Sequence, residues 1–585
     1  MVRENYKMYT LGVSCYFHDS SVAVLRDGEL IFFILEDRFS RKKHDSSYPE
    51  SAIEYVHKTI FNSEKLSSED RVIYYEDNEL KFLNILSEAL EKYPFQWRGF
   101  FKAIPMWIFE KFWVKSKLAM SFSIPLKQVQ MGDHHLSHAA YGYYASGFKE
   151  SLVLCSDGFG DRASLSLYHF EGQDHEKFLS FDKKKSLGLI YTTFTTFFGF
   201  KANDGECSLM AISRFGKPIY KDKITKALRL DRNHIYTVED RFFNFDLDSE
   251  CFYTSEFLKE FGKPFKGKYT VSCFENMICS EGEQYYLDLA SSFHEVFEEV
   301  YIQIFKEAFA KKGIRNFVFS GGVAQNCVLI AKLNELDFVD EIFIPLDPGD
   351  GGTAIGAAAL AYVEKTGRYP NINQTFAGAN LELNQRIIDN MPSLSACQLD
   401  SAQKATNVFD VLFQYEKVVA VFQDKMEVGP RALGNRSLLC RADHAEMVKT
   451  LSEDIKTRAY FRPYALIVLE EDAEVIVDDF KLNEQVMRMQ TVVKIKEQYH
   501  RILKYGLHID GTTRIQVINE KSDPFLYSLL LKVKEKIGIG ALINTSFNES
   551  GFPLIHSPVD ALYFFKSRPL GALVINDTWL TKVGD

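Results

Sequence analysis

Apolar runs near the start of the chain are broken by short polar stretches in a way that predicts strands before helices. Leu11 to Tyr16 reads as a buried strand, Ser21 to Leu25 as a second and Glu29 to Leu35 as a third, with Asp27-Gly28 supplying a tight hairpin turn. A polar loop carrying His18 joins the first two. The layout recurs at Leu152 to Ser156, the loop Asp157 to Arg162, the strand Ser164 to Phe170 and the turn Glu171-Gly172. This repetition predicts a degenerate duplication of one strand-loop-strand unit.

Further on, a helical period spans Tyr285 to Lys311 and a strand Asn316 to Phe319. Ser320-Gly321-Gly322-Val323-Ala324-Gln325-Asn326 then reads as a strand-to-helix turn whose glycines let a ligand approach the backbone. A strand at Glu341 to Ile344 delivers Pro345 to Gly352, and small residues from Thr353 to Tyr362 predict a closely packed helix. The first domain is therefore expected over 1–365. Pro370, Asn371, Asn373 and Gly378 mark 366–401 as a linker or peripheral segment, and a second domain is expected over 402–585. Paired strand-loop-strand units followed by helices resemble the superfamily of acetate kinase, sugar kinases, actin and the large heat-shock chaperones, an architectural likeness.

A length of 585 residues predicts two or three domains, and 46% hydrophobic with 25% charged residues is a globular composition. The net charge of −10 argues against generic binding to nucleic acid or an anionic membrane, so neither is expected as a partner. The nine cysteines form no CxxC pair, which excludes a zinc ribbon and points to the reducing cytoplasm. Leu11 to Phe17 is too short for a signal peptide or a membrane span. Phe100 to Trp113, broken by Lys102, Pro105, Glu110 and Lys111, suits an amphipathic helix or a cleft wall better than an anchor.

Candidate chemistry begins at Asp133-His134-His135-Leu136-Ser137-His138, because His134 and His138 share one helical face. Asp157 and Asp350 sit in glycine-rich loops, and two nitrogens with two oxygens suit a divalent metal. A bare HxxxH also caps or packs helices, so the set gains force only from its surroundings. His18, followed by Asp19 and Ser20, is placed to act as a general base if it faces an acyl donor. Between Lys425 and Arg462 there are eight Lys/Arg against five Asp/Glu, reversing the acidic average. Arg431, Arg436, Lys456, Arg462 and Arg514 fall in glycine- and proline-punctuated runs beside Asn544 and Ser546, a donor set that suits polyphosphate or carbamoyl phosphate. No G-x-x-x-x-G-K-[ST] is present, so a P-loop is excluded. The run Gly158 to Ala163 imitates a dinucleotide fingerprint but leads into an alternating strand, which rejects that reading.

Together these runs resemble the O-carbamoyltransferase family that includes nodulation protein U and the carbamoyltransferases of aminoglycoside, cephem and ansamycin biosynthesis. The matching residues are Phe17 to Ser20, Glu36 to Asp45, His134 to Ala139, Gly321 to Ala324, Gly349-Asp350, Gly429 to Ser437, Phe461 to Pro463 and Asn544 to Asn548. The resemblance implies an α/β chain: an N-terminal domain similar to the tRNA threonylcarbamoyl-adenosine transferase, and a C-terminal domain similar to the threonylcarbamoyl-adenylate synthase. It implies that His134, His138, Asp157 and Asp350 hold a metal, iron (Fe2+) in the family, and that His18 is the transfer-site histidine. Gly158, Gly321, Gly322, Asn326 and Arg431 are then expected at nucleotide, and Lys456, Arg462, Arg514, Ser546, Asn544 and Arg436 at carbamoyl phosphate and ATP, with Mg2+ accompanying ATP. The implied reaction forms carbamoyl adenylate in the C-terminal domain and passes its carbamoyl group to a hydroxyl of a small molecule, a secondary metabolite or sugar; a homodimer is left open.

Two departures stand out. Gly205 to Gly216 replaces the family's usual basic and proline-containing run, and Phe552 stands where a glutamate is usual. A tRNA-modifying enzyme would need no carbamoyl-phosphate pocket and would favour a basic surface. Hydrogenase-maturation carbamoyltransferases carry CxxC motifs absent from this sequence. A non-catalytic ATP-binding module would explain neither HxxxH nor the late cation cluster.

Overall fold

The computed structural model describes residues 7–62, 64–91, 97–246, 251–274 and 279–583, and strands and helices mix throughout, so the chain is α/β. Its contacts divide it into two compact units. The first takes residues up to Ser40, His44–Gly267 and Gln284–Gln374; the second takes Arg41–Lys43, Lys268–Glu283 and the residues from Thr375 onward. The sequence places a linker over 366–401, whereas the division falls between Gln374 and Thr375. An isolated bridge ties Phe376 to Glu427, and Leu394–Gln398 pairs as an edge strand with only Leu394 buried, a pattern too weak to read as a strand from sequence.

In the first unit, β1 (Tyr9–Ser14), β2 (Ser21–Arg26), β3 (Glu29–Leu35), β4 (Arg71–Tyr74) and β5 (Val129–Met131) form one sheet in the order β3-β2-β1-β4-β5. A second sheet contains β6 (Glu150–Ser156), β7 (Leu165–Glu171) and β8 (Asp174–Phe181); after the hairpin β9 (Leu228–Asp231) and β10 (Ile235–Val238) it is completed by β11 (Asn316–Ser320) and β12 (Glu341–Phe343). Its order, β8-β7-β6-β11-β12, repeats the first, with two antiparallel pairings followed by two parallel ones in each. The strand-loop-strand duplication read from the sequence is thus a duplication of whole sheets. The β2-β3 turn takes left-handed φ at Asp27 (52°) and Gly28 (85°), as a two-residue hairpin of this twist requires.

The helix Thr353–Thr366 packs against both β1 and the helix His134–Ser146. Its small residues permit that approach: a Cβ on Gly356 would strike the Ser137 carbonyl oxygen and lie 2.9 Å from the Tyr141 amide nitrogen. Close contact of these two helices sets the spacing of the residues at their N-terminal ends.

The second unit carries β13 (Leu394–Gln398), β14 (Val418–Phe422), β15 (Arg436–Cys440), β16 (Ala465–Leu469), β19 (Ile515–Ile518), β20 (Ala541–Ser546), β21 (Leu570–Ile575) and β22 (Thr578–Lys582) in one sheet ordered β13-β22-β21-β14-β15-β20-β16-β19. Two short strands, β17 (Val493–Lys494) and β18 (Thr512–Thr513), pair with each other. Every residue of β14, β15 and β16 is buried; β14 and β16 read as unbroken apolar runs, while β15 buries Arg436 and Ser437 among its apolar residues. The helices Ser401–Phe413, Pro524–Ile537 and Pro558–Ser567 start at Asp400, Asp523 and Ser557, whose side chains accept from backbone amides in the first turn.

Candidate active site

Asp133 caps the helix His134–Ser146 by accepting from the Leu136 amide (2.7 Å), which starts the helix where His134 and His138 fall on one face. Asp157 follows β6 directly and Asp350 opens the turn before the helix Thr353–Thr366. All four side chains are buried, and one donor atom from each lies within 4.8 Å of the others. His138 Nε2 is 3.3 Å from Asp157 Oδ2 and from Asp350 Oδ1; His134 Nε2 is 3.6 Å from the same two oxygens. Donors that share one ion at about 2.1 Å each, at tetrahedral angles, stand roughly 3.4 Å apart. His134 Nε2 and Asp157 Oδ2 have no hydrogen-bond partner despite full burial, so the cluster has donor capacity that a cation would satisfy. These residues fit a divalent or transition metal.

His18 adjoins this cluster. Its Nε2 is 3.5 Å from Asp350 Oδ2, and its Nδ1 is 2.8 Å from Asp19 Oδ2. Asp19 also receives His44 Nδ1 at 2.9 Å, giving a His18-Asp19-His44 line. Tyr16, Asp19 and His44 all have positive φ (72°, 54° and 59°), backbone strain of the kind found at functional loops. Burial alone would lower the His18 imidazole, but Asp350, Asp19 and Asp157 outweigh it and hold it up at about 10. Burial would raise Asp19, and the hydrogen bonds from His18 and His44 instead hold its carboxyl far below the usual range. With Nδ1 engaged by Asp19, Nε2 is the nitrogen that faces the cluster.

A second buried group sits behind His134. Glu76 Oε2 is 3.8 Å from His134 Nδ1 and pairs with the buried Lys81; Asp161 Oδ2 accepts from the His134 amide at 3.1 Å. Burial, aided by the Glu76 charge, pushes Asp161 up to about 7. Asp347 likewise rises to about 7, through burial and the nearby Asp19 charge. Asp19 and His44 fall in runs that match the family but are given no role by the sequence, and Glu76, Asp161 and Asp347 are not singled out by it. Asp19 adjoins His18 and could have been paired with it, but His44 is 25 residues from Asp19 and only the fold joins them.

The glycines expected at nucleotide take two forms. Gly321 has φ 88°, and a Cβ there would meet the Ser156 carbonyl, so this turn demands glycine for close packing on β6. A Cβ on Gly322 would be 3.0 Å from Asp157 Oδ1, and the Gly158 amide donates to that oxygen at 2.7 Å. Asn326 caps the helix Cys327–Asn334, accepting from Leu329, and its Nδ2 lies 3.3 Å from His294 Nε2. The Asn326 side chain is engaged inside the fold.

In the second unit, Lys456 and Ser546 come together. Lys456 Nζ donates to Ser546 O (2.5 Å), Ser546 Oγ (3.0 Å), Asn548 O (2.7 Å) and Asn548 Oδ1 (2.8 Å). Burial, reinforced by the charges of Arg458, Arg462 and Lys43, pushes the Lys456 ammonium well below its usual value. Concentrated cations are what an anionic substrate would relieve. Lys456 ends a π-helical turn, Leu451–Ile455, a distortion frequent at functional sites. Arg431 and Arg462 are half-buried, and Arg514 is half-buried between β18 and β19. Phe552 exposes its ring and accepts from Asn548 Nδ2 at 2.5 Å through its carbonyl.

Two residues of the expected phosphate set are differently engaged. Arg436 is fully buried, donates to the carbonyls of Gln423 (2.7 Å), Asn435 (2.9 Å) and Asp424 (3.2 Å), and stacks 3.5 Å from the Phe422 ring centre. It braces the Gly429–Asn435 loop from behind. Asn544 is buried within β20, with Nδ2 on Gln516 Oε1 at 2.7 Å. The sequence marks these residues by type, whereas strand register decides which way they face. Glu427 and Arg458 were not expected: Glu427 Oε1 accepts from the amides of Leu433, Asn435 and Arg436 (2.9–3.0 Å), fixing the same loop.

Residues 9–359 match the family described as Carbamoyltransferase N-terminus, and residues 411–582 match Carbamoyltransferase C-terminus. An uncharacterized protein of Synechocystis is 30% identical over 98% of this chain and 97% of its own. Nodulation protein NolNO of Sinorhizobium fredii is 27% identical, covering 97% of this chain and 79% of that one. Nodulation protein U of the same species is 31% identical over 41% of this chain and 40% of its own. Among solved structures, HypF of T. kodakarensis aligns over 63% of this chain and 49% of that one at 15% identity with a TM-score of 0.32, too low to carry an argument.

Proposed function

The chain belongs to the carbamoyltransferase family, and on that premise we propose that it is an ATP-dependent O-carbamoyltransferase acting on a hydroxyl of a small molecule. The observation that carries the transfer half is the buried four-donor cluster with His18 Nε2 beside it, 3.5 Å from Asp350. Carbamoyl phosphate is hydrolysed to carbamate and phosphate, and a carbamate oxygen attacks the α-phosphorus of ATP, expelling pyrophosphate and leaving carbamoyl adenylate. Lys456, Arg462 and Arg514, with Arg431 and Ser546, neutralise the phosphates in that step. At the first unit the acceptor oxygen attacks the carbamoyl carbon, His18 Nε2 takes its proton and AMP departs.

His134, His138, Asp157 and Asp350 would hold the metal, Fe2+ or another divalent ion, which when bound supplies Lewis acidity to a carbonyl or phosphoryl oxygen. The same positive charge would offset Asp350 and Asp157, two of the three aspartates that raise His18, lowering the imidazole toward the neutral form a base requires. Asp19 keeps the proton on Nδ1 and the ring in place, while the burial of the cluster keeps water from an activated acyl group.

The test is transfer of label from isotope-labelled carbamoyl phosphate to a panel of sugars and hydroxylated metabolites, with and without ATP. Labelled ester that forms only with ATP is expected. Transfer that proceeds equally without ATP would overturn the adenylate route.

A further inference from the structure

The segment 97–127 turns apolar side chains outward. In the helix Trp97–Phe109, Phe101, Pro105, Ile108 and Phe109 share the exposed face, while Phe100 and Trp107 are buried on the opposite side against Phe82. Phe109 is 72% exposed, Phe101 63% and Met106 50%, and in the following 3-10 turn Lys111–Trp113 the indole of Trp113 is 56% exposed. A surface helix ordinarily turns its polar side to water; this one is apolar on both. Leu83 (57%) and Leu90 (55%), on the helix Asn78–Glu91 that packs against this one, are exposed as well.

Charge at its border is the second observation. Within 97–127 stand Arg98, Lys102, Lys111, Lys115, Lys117 and Lys127 against the single acid Glu110, in a chain of net charge −10. Lys102, Lys115 and Lys127 are exposed. Lys183 reaches Glu88 of the neighbouring helix at 3.4 Å, bringing the run Lys183-Lys184-Lys185 against it. The third observation is position. The Tyr16 hydroxyl donates to Glu110 Oε2 at 2.9 Å, Lys117 donates to the Tyr16 hydroxyl at 3.2 Å, and Lys81 lies 5.0 Å from the Phe17 ring centre, so the patch is tied to the loop carrying His18.

We propose that this surface docks on an anionic lipid bilayer, with Phe101, Met106, Phe109 and Trp113 entering the interfacial layer and the exposed lysines meeting lipid phosphates. Docking presents the His18 loop to acceptors held at the membrane face, a consequence that rests on the carbamoyl-transfer reading; lipid binding itself does not. The expectation of no membrane partner came from whole-chain charge, which conceals this local reversal. A second copy of the chain fits the patch less well, because a two-fold contact would set the same cationic border against itself.

Flotation of the full-length protein with vesicles, without substrates, tests this. Association with phosphatidylcholine vesicles containing phosphatidylglycerol, weakened by salt, is expected, with little on phosphatidylcholine alone. Phe109→Ser with Trp113→Ser, and separately Lys102→Glu with Lys115→Glu, should each reduce association on the order of tenfold while the unfolding temperature holds, since all four side chains are exposed. Absence of flotation, flotation of either double variant at the wild-type level, or a dimer dispersed by Phe109→Ser with Trp113→Ser in a protein that binds no vesicles would overturn the proposal. Because lipid binding is read without substrates, its failure leaves carbamoyl transfer standing, and the reverse also holds.

Discussion

His18 illustrates how single residues are set by charge. Its imidazole sits at about 10 because aspartates outweigh burial, against 6.5 for an ordinary histidine, so in metal-free protein its pairings contribute stability that is fully present below 6.5 and lost as pH rises through about 10. Denaturation curves of metal-free wild type and His18→Asn should therefore converge over that window, and curves whose separation does not change with pH would contradict the pairing. In the loaded enzyme, His18→Asn should keep pyrophosphate release while carbamoylated product falls by roughly two to four orders of magnitude. Transfer at the wild-type rate would make His18 structural. His138→Ala should purify with little metal by elemental assay, since a lost ligand does more than the about 10- to 100-fold affinity losses of outer partners; full occupancy would refute the cluster. His134, His138, Asp157 and Asp350 were legible because residue type and loop setting announce them. The pairing of His44 with Asp19 and the place of Glu76 and Asp161 were not, because a histidine within a matching run and acids in loops acquire a partner only from what the fold places beside them.

At the scale of elements, the site is an outcome of close helix packing. Gly356 lets the helix Thr353–Thr366 lie on the carbonyl of Ser137, and those two helices fix His138 Nε2 at 3.3 Å from Asp350 Oδ1. Gly356→Ala should force them apart, lowering stability by about 1–3 kcal/mol and reducing metal content, read by chemical denaturation and elemental assay. Unchanged values for both would mean that the spacing is set elsewhere. Strands β1, β2 and β3 of the first sheet were legible from apolar runs and the Asp27-Gly28 turn, and the helix of His134 and His138 from their four-residue spacing. The engagement of Arg436 and Asn544 inside the fold was not, because their facing depends on register across β14, β15 and β20, which sequence spacing leaves open.

On the scale of the whole molecule, length led to the expectation of more than one domain and the strand and helix pattern to an α/β chain, while composition averaged away its local contrasts. A duplicated strand-loop-strand unit could be anticipated because strand, loop and turn repeat in order; that the repeat extends to whole five-stranded sheets came from the structure. The inclusion of Arg41–Lys43 and Lys268–Glu283 in the second unit could not, since linear boundaries cannot express segments contributed from elsewhere in the chain. None of the described helices is long and apolar enough to cross a membrane. The central claim is that adenylate formation belongs to the second unit's cations and carbamoyl transfer to the first unit's histidines. The most direct test is carbamoyl-phosphate-dependent pyrophosphate release by full-length wild type, His138→Ala and Arg462→Ala. The expected result is release that survives His138→Ala and falls in Arg462→Ala by the equivalent of about 2–4 kcal/mol; equal release from wild type and Arg462→Ala, or its loss in His138→Ala, would contradict that division of labour.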